Sequence, residues 1–159
     1  MTLAYIGLGS NLADPRTQVE RALRALARLP ETRLARQSRL YRSAPWGHAD
    51  QPEFVNAVAE LQTELSPRAL LDALLAIERQ AGRERDATRW GPRVLDLDIL
   101  ACGDQVIDEP GLHVPHSHLH ERAFVLLPLA ELAPDMIVPG RGQVSALLTQ
   151  IDATTCQPL

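Results

Sequence analysis

Two hydrophobic periods alternate along this chain, and the points where they switch mark its elements. The run Leu3-Ala4-Tyr5-Ile6-Gly7-Leu8-Gly9 is short and apolar and is closed by Gly9-Ser10-Asn11, which reads as a strand and a turn. Asp14-Pro15 opens a helix, with Asp14 as N-cap and Pro15 in the first turn. Val19, Ala22, Leu23, Leu26 and Leu29 then recur at helical spacing up to Pro30. Residues 34–41 alternate weakly and predict a second strand, and residues 43–52, punctuated by Pro45, Gly47 and Pro52, predict a loop. From Phe54 to Leu65 the alternation is strong, with Val55, Ala57, Ala59 and Leu61 on one face and Phe54 and Asn56 on the other. Ser66-Pro67 repeats the cap-then-proline signal. Leu70, Leu71, Leu74, Ile77 and Ala81 give that helix an apolar face, and Gly82 stops it. A strand from Val94 to Cys102, a hairpin turn at Gly103-Asp104, a return strand over 105–107 and a helix from His120 to Leu132 follow. Beyond Pro134 the pattern is broken by proline and glycine, and no element is assigned.

The first two-thirds therefore read β-α-β-β-α-β, the order of a ferredoxin-like α+β sandwich with helices on one face of a mostly antiparallel sheet. The rest adds C-terminal elements. With 159 residues and no repeat, linker or low-complexity stretch, residues 1–159 are expected to form a single domain. Such a fold hosts many activities and identifies none.

Charge and composition narrow the chemistry. The net charge of −4 argues against a nucleic-acid binder working through bulk charge. All 16 basic residues are arginine. Without lysine there is no Gly-Lys-Ser/Thr phosphate loop and no Schiff-base chemistry; the bias itself matches GC-rich codon usage. The two cysteines, Cys102 and Cys156, are far apart in sequence, which favours a reducing compartment over a disulfide framework. No signal peptide or membrane span is apparent, so a cytoplasmic location is expected.

The densest chemistry lies in residues 83–100. Arg83, Arg85, Arg89 and Arg93, with Trp90, lead into a strand in which Leu95, Leu97 and Ile99 point one way and Asp96 and Asp98 the other. Alone, an Asp-x-Asp pair is most simply a solvated strand face. Beside four arginines it reads as a Mg²⁺ site for a polyphosphate, because Mg²⁺ takes carboxylates, waters and phosphates, and arginine forks onto phosphate oxygens. Gly82 and Gly91-Pro92 bound the arginine segment, which is expected to act as a lid. Trp90 fits either a core anchor or a stacking surface. Phe54 and Asn56, sharing a face, suit a flat heterocycle, the ring for stacking and the amide for its edge, although a half-buried strand face explains them as well. His113, His116, His118 and His120 are crowded without a completed zinc motif, and His116 is the best candidate for a phosphate contact. These features leave open a palm-like nucleotidyltransferase or a non-catalytic ferredoxin-like ligand-sensing or RNA-binding module.

The chain resembles the 6-hydroxymethyl-7,8-dihydropterin pyrophosphokinase family of folate biosynthesis. The likeness runs through residues 4–12, Tyr41-Arg42-Ser43, Gln51-Pro52-Glu53-Phe54-Val55-Asn56, Val114-Pro115-His116 and residues 121–126. It is most specific in Arg89-Trp90-Gly91-Pro92-Arg93-Val94-Leu95-Asp96-Leu97-Asp98. The resemblance implies transfer of pyrophosphate from ATP to the hydroxymethyl group, releasing AMP. It implies Arg83, Arg93, Asp96 and Asp98 as catalytic residues, with Asp96 and Asp98 holding two Mg²⁺ ions. It implies Glu78, Arg85, Arg89, Trp90, Ile99, His116 and Arg122 along the ATP path. For the pterin it implies Ser43, Ala44, Pro45, Trp46, Phe54, Asn56, Trp90 and Phe124. A monomer with no nucleic-acid or membrane partner is expected. Three positions depart from familiar members: Phe54 where tyrosine is common, Gly111 where some carry a basic residue, and Leu75 where a polar residue can touch adenine.

Overall fold

The computed structural model describes residues 1–44, 52–82 and 94–159. The strands are β1 (Thr2–Ser10), β2 (Thr32–Gln37), β3 (Tyr41–Ser43), β4 (Phe54–Thr63), β5 (Asp96–Cys102), β6 (Ile107–Glu109), β7 (Leu112–Val114), β8 (Ile137–Val138), β9 (Gly142–Gln143) and β10 (Cys156–Pro158). The helices are α1 (Pro15–Leu26), α2 (Pro67–Gln80), α3 (Ala123–Leu132) and α4 (Val144–Leu148), with one 3-10 turn at Leu119–Glu121. The main sheet runs β10-β3-β4-β1-β5, and β2 also pairs with β4. All of its pairings are antiparallel. The expected α+β class is present, and the β-α-β-β-α-β order holds with its second strand divided into β2 and β3.

Helix α2 forms as its sequence dictates. The Ser66 side chain accepts a hydrogen bond from the Ala69 N–H at 3.1 Å, Pro67 opens the first turn, and Gly82 ends the helix with φ 90°. Helix α1 starts differently from the expected cap. Asp14 lies in the left-handed region at φ 61° and caps no backbone N–H; its carboxylate accepts from the Thr17 hydroxyl at 2.9 Å. The helix also ends at Leu26, short of Pro30.

The strand expected over residues 34–41 is two strands. Ser38 is the cause: its N–H donates to the Val58 carbonyl, and its hydroxyl accepts the Val58 N–H, each at 2.9 Å. A side-chain oxygen thus stands where a backbone carbonyl would continue the ladder. Gln37 pairs with Ala59 but Tyr41 pairs with Asn56, so one extra residue is accommodated between them. The return strand expected after Gly103-Asp104 also differs. The turn is there, with Gln105 N–H on the Cys102 carbonyl, but β6 pairs with β7 rather than β5. Gly111, at φ 76°, makes the tight turn of that hairpin. The helix expected from His120 begins at Ala123, and the tail beyond Pro134 is ordered into β8, β9, α4 and β10.

The sheet is covered on both faces. Ile6, Leu8, Ala57, Leu61, Leu97 and Ile99 pack with the apolar stripes of α1 and α2. Tyr5, Val58, Leu100 and Ala101 pack on the other side with Leu126 and Leu129 of α3 and Val144 and Leu147 of α4. The C-terminal elements thus supply a third layer that the N-terminal pattern alone did not foretell.

Candidate active site

Side-chain alternation assigns the site to the α3 side of the sheet. Tyr5 and Val58 face α3, so Gly7 and Gly9 on β1, and Phe54 and Asn56 on β4, share that face. Leu97 and Ile99 face α1 and α2, so Asp96 and Asp98 point to the α3 side as well. The register then aligns them. Asp96 pairs with Gly9, Gly9 with Asn56, and Asn56 with Tyr41; Asp98 pairs with Gly7. The carboxylate pair and the heterocycle-suited pair thus lie two strands apart, about 10 Å across the sheet. Two glycines lie between them.

A bulge in β5 brings His116 to this row. Ile99 pairs with Ile6 and Ala101 with Tyr5, leaving Leu100 as the extra residue. The Leu100 carbonyl accepts the His116 N–H at 3.0 Å. His116, next to the cis Val114–Pro115 bond, is thereby held with Nε2 3.9 Å from Asp98 Oδ1. Burial pushes the His116 pKa down to about 4, helped by the nearby charges of Arg122, His118 and His113. The ring is therefore neutral at pH 7, and its approach to Asp98 is a contact rather than an ion pair. Its Nδ1 accepts the His118 N–H at 3.1 Å, which leaves the proton on Nε2, the nitrogen nearer Asp98.

Glu78 on α2 is buried, and its carboxylate accepts the Leu97 N–H at 2.7 Å. It grips β5 between the two aspartates, a positioning contact that no periodicity reveals. Ile99 packs its side chain into the core, so only its backbone faces the site edge. On the other flank, Asn56 and Ser43 are both buried, and Asn56 Nδ2 donates to Ser43 Oγ at 2.7 Å. That bond turns Asn56 Oδ1 toward Gly9, 3.2 Å from where a Cβ would stand. Ser43 pairs with Phe54 on one side and with Cys156 of β10 on the other, and the Ala44 N–H donates to the Thr155 carbonyl. The tail therefore braces the strand that orients Asn56. Arg122, mostly buried at the start of α3, stacks its guanidinium 5.4 Å from the centroid of the Phe124 ring.

Asn11 was not singled out by its residue type, yet it is buried and donates to the Pro52 carbonyl at 3.1 Å, tying the β1–α1 turn to the entry of β4. Gly9 was likewise missed as a site residue; the signal available was glycine inside a strand. Among the described residues the other histidines have local carboxylates: His113 lies 2.7 Å from Asp108, and His118 and His120 each lie 3.3 Å from Glu121. Among the sequence candidates, Asp96, Asp98, Glu78, His116, Phe54, Asn56 and Ser43 gather around one stretch of sheet. Pro45, Trp46, Arg83, Arg85, Arg89, Trp90 and Arg93 lie outside the described residues.

An edge carboxylate pair, a neutral histidine and a fixed amide thus share one face of an α+β sheet. The sequence matches the 7,8-dihydro-6-hydroxymethylpterin-pyrophosphokinase family over residues 5–134, and the chain belongs to that family. It is 60% identical to a Pseudomonas aeruginosa 2-amino-4-hydroxy-6-hydroxymethyldihydropteridine pyrophosphokinase, over 91% of this chain and 88% of that protein. It is 47% identical to the enzyme of that name from Haemophilus influenzae, over 94% and 93%. A solved Plasmodium falciparum HPPK-DHPS triple mutant with pteroate superposes with a TM-score of 0.73 at 14% identity. It aligns with 94% of this chain, which spans only 43% of that longer one, and it bears on the fold alone.

Proposed function

We infer that this chain transfers pyrophosphate from ATP to the hydroxymethyl group of 6-hydroxymethyl-7,8-dihydropterin, releasing AMP, in folate biosynthesis. Family membership and high identity to pyrophosphokinases along most of the chain support the reaction. The observation that carries the site is the row Asp96–Gly9–Asn56, with His116 beside Asp98.

The residues fit a hard cation. Asp96 and Asp98 offer only oxygen donors on an accessible strand face, and Mg²⁺ is commonly held by one or two carboxylates with substrate phosphates completing its shell. In our reading Asp96 and Asp98 hold two Mg²⁺ ions, which when bound neutralise phosphate charge. The pterin hydroxyl attacks the β-phosphorus in line and gives its proton to solvent; as the new O–P bond forms, the bond from the β-phosphorus to the α,β-bridging oxygen breaks, and AMP leaves with that oxygen. Catalysis is then mainly positioning and charge stabilisation. Glu78 fixes β5 so that its aspartates stay aimed. Neutral His116 donates from Nε2 to a phosphate oxygen, and Arg122 adds fixed positive charge. Phe54 and Phe124 flank the pterin ring, Asn56 reads its edge, and the backbone of Ser43 and Ala44 walls it. Arg83, Arg85, Arg89, Arg93, Trp90, Pro45 and Trp46 take the roles that the family resemblance implies, and Ile99 meets the nucleotide through its backbone. The chain acts as a cytoplasmic monomer. No helix among the described residues is long and apolar enough to cross a membrane.

The test is an assay with hydroxymethyl-dihydropterin, ATP and Mg²⁺. AMP and the pterin diphosphate are the expected products. Release of inorganic pyrophosphate with a nucleotide left on the acceptor would instead make the protein a nucleotidyltransferase.

A further inference from the structure

We propose that Gly9 is a specificity-determining residue. Its bare backbone is the seat for the one-carbon arm that joins the pterin ring to the phosphate acceptor oxygen, and its missing side chain limits how large that arm can be. The inference rests on the pyrophosphokinase reading above.

Three observations converge on it. First, glycine weakens a strand interior, and one that sits there without need marks close approach of something else. The φ of Gly9 lies outside the left-handed range, so the backbone makes no demand for glycine. Second, the space above Gly9 is bounded by recognition groups. A Cβ there would stand 3.2 Å from Asn56 Oδ1 and 3.8 Å from Phe54 Cδ1. Gly7, two residues earlier, is different: the three atoms nearest its Cβ would all belong to the Leu100 side chain, the closest at 3.2 Å, so core packing accounts for it. Third, Gly9 is the residue between Asn56 and Asp96 in the sheet register. A ring read by Asn56 and a phosphate held near Asp96 must be connected across about 10 Å, and the shortest path crosses Gly9. The hydroxymethyl carbon and its oxygen are the part of the substrate that makes this crossing.

The test compares wild type with Gly9→Ala using two ligands. One is 6-hydroxymethyl-7,8-dihydropterin in turnover. The other is pterin without a substituent at C6, titrated in the presence of Mg²⁺ and a nonhydrolysable ATP analogue. We expect kcat/KM for the hydroxymethyl substrate to fall by about tenfold to a hundredfold, as for a pocket misfitted by one methyl. The Kd of unsubstituted pterin and the KM for ATP should change less than about threefold, well below that range. An equal loss for both pterins would overturn the inference, because the added methyl would then be displacing Asn56 rather than the arm. Unchanged kinetics would overturn it as well. If Gly9→Ala does not fold, wild type decides the matter: a dihydropterin with a branched 1-hydroxyethyl arm should bind at least about tenfold more weakly than the parent. Equal binding would sink the idea. Failure of wild type to release AMP at all is the separate failure of the pyrophosphokinase reading.

Discussion

The α3 face of the sheet is finished in opposite ways at its two ends. At one end lie Tyr5 and Glu60, directly paired across β1 and β4. There the Tyr5 hydroxyl donates to Glu60 Oε2 at 2.7 Å, and Arg36 Nη2 donates to the same oxygen at 2.8 Å and to the Leu132 carbonyl at the end of α3. Nearby, Glu131 of α3 accepts from the Tyr41 hydroxyl at 2.7 Å and from the Arg39 N–H at 3.0 Å. Charge at this end is spent on docking α3 to the sheet. At the other end the residues in line with Tyr5 are Gly7 and Gly9, the carboxylates of β5 are partly exposed, and Asp98 retains 39% side-chain exposure. One end of the face is thus covered by α3, and at the other end the β5 carboxylates keep partial exposure among the described residues. Carboxylates appear at both ends: Glu60 is buried and bonded to Tyr5, and Glu131 of α3 is bonded to Tyr41, whereas Asp96 and Asp98 stand partly exposed on β5.

The comparison breaks most sharply at Asp98. Asp98→Ala is expected to raise the barrier by about 3 kcal/mol or more, in line with loss of other charge-stabilising groups, with the melting temperature nearly unchanged. Turnover close to wild type would remove Asp98 from the metal role. The closed end should respond the other way. Glu60→Ala leaves the buried Tyr5 hydroxyl without its acceptor and should cost about 1–3 kcal/mol of stability, while kcat/KM per folded molecule stays near wild type. Most of that cost belongs to the Tyr5 hydroxyl, because Arg36 is 52% exposed and water takes over its charge. A large kinetic defect without destabilisation would show that the two ends are not separable.

A smaller effect tests how the open end is held. Ser43→Ala removes the acceptor that fixes Asn56 and should weaken pterin binding by about 1 kcal/mol, roughly fivefold, leaving the KM for ATP alone. An ATP defect of the same size would mean that Ser43 supports the whole sheet edge rather than the amide.

The parts of this molecule that were legible in sequence are those set by local rules. The two-residue period of β4 and β5 put Asn56 with Phe54 and Asp96 with Asp98, and Ser66, Pro67 and Gly82 delimited α2. What escaped was set by distant partners. Ser38 breaks a strand because its hydroxyl meets Val58, twenty residues away. Leu100 bulges from β5 although nothing distinguishes it within an apolar run, and that bulge is what seats His116 near Asp98. The resemblance implies Glu78 along the ATP path, and its hydrogen bond from the Leu97 N–H is an additional contact that depends on how α2 packs against β5. The tail lacks a strong period because β10 is only three residues long and draws its order from β3.

The subtlest test uses pH, with the difference between wild type and each variant isolating the closed end. The Arg36 hydrogen bond is the main reason the Glu60 carboxyl is held below its ordinary value of 4.5. Glu131 is also lowered: burial by itself would raise it, but the Tyr41 and Arg39 hydrogen bonds outweigh that. A depressed folded-state pKa gives stability that is present above the unfolded value and lost as pH falls through the folded one. The stability gap between wild type and Glu60→Gln should therefore be widest above pH 4.5 and shrink as pH falls below it. Tyr5 titrates in the opposite sense. Burial, then its bond to Glu60, pushes it from 10.0 to about 12, so its contribution is complete below 10.0 and lost as pH rises through 12. Tyr5→Phe should accordingly differ most from wild type below pH 10 and converge above it. Denaturant melts of the three proteins across both ranges check the two limbs. A Glu60→Gln gap that stays constant through the acid range would mean that the carboxylate is not what docks α3 to the sheet.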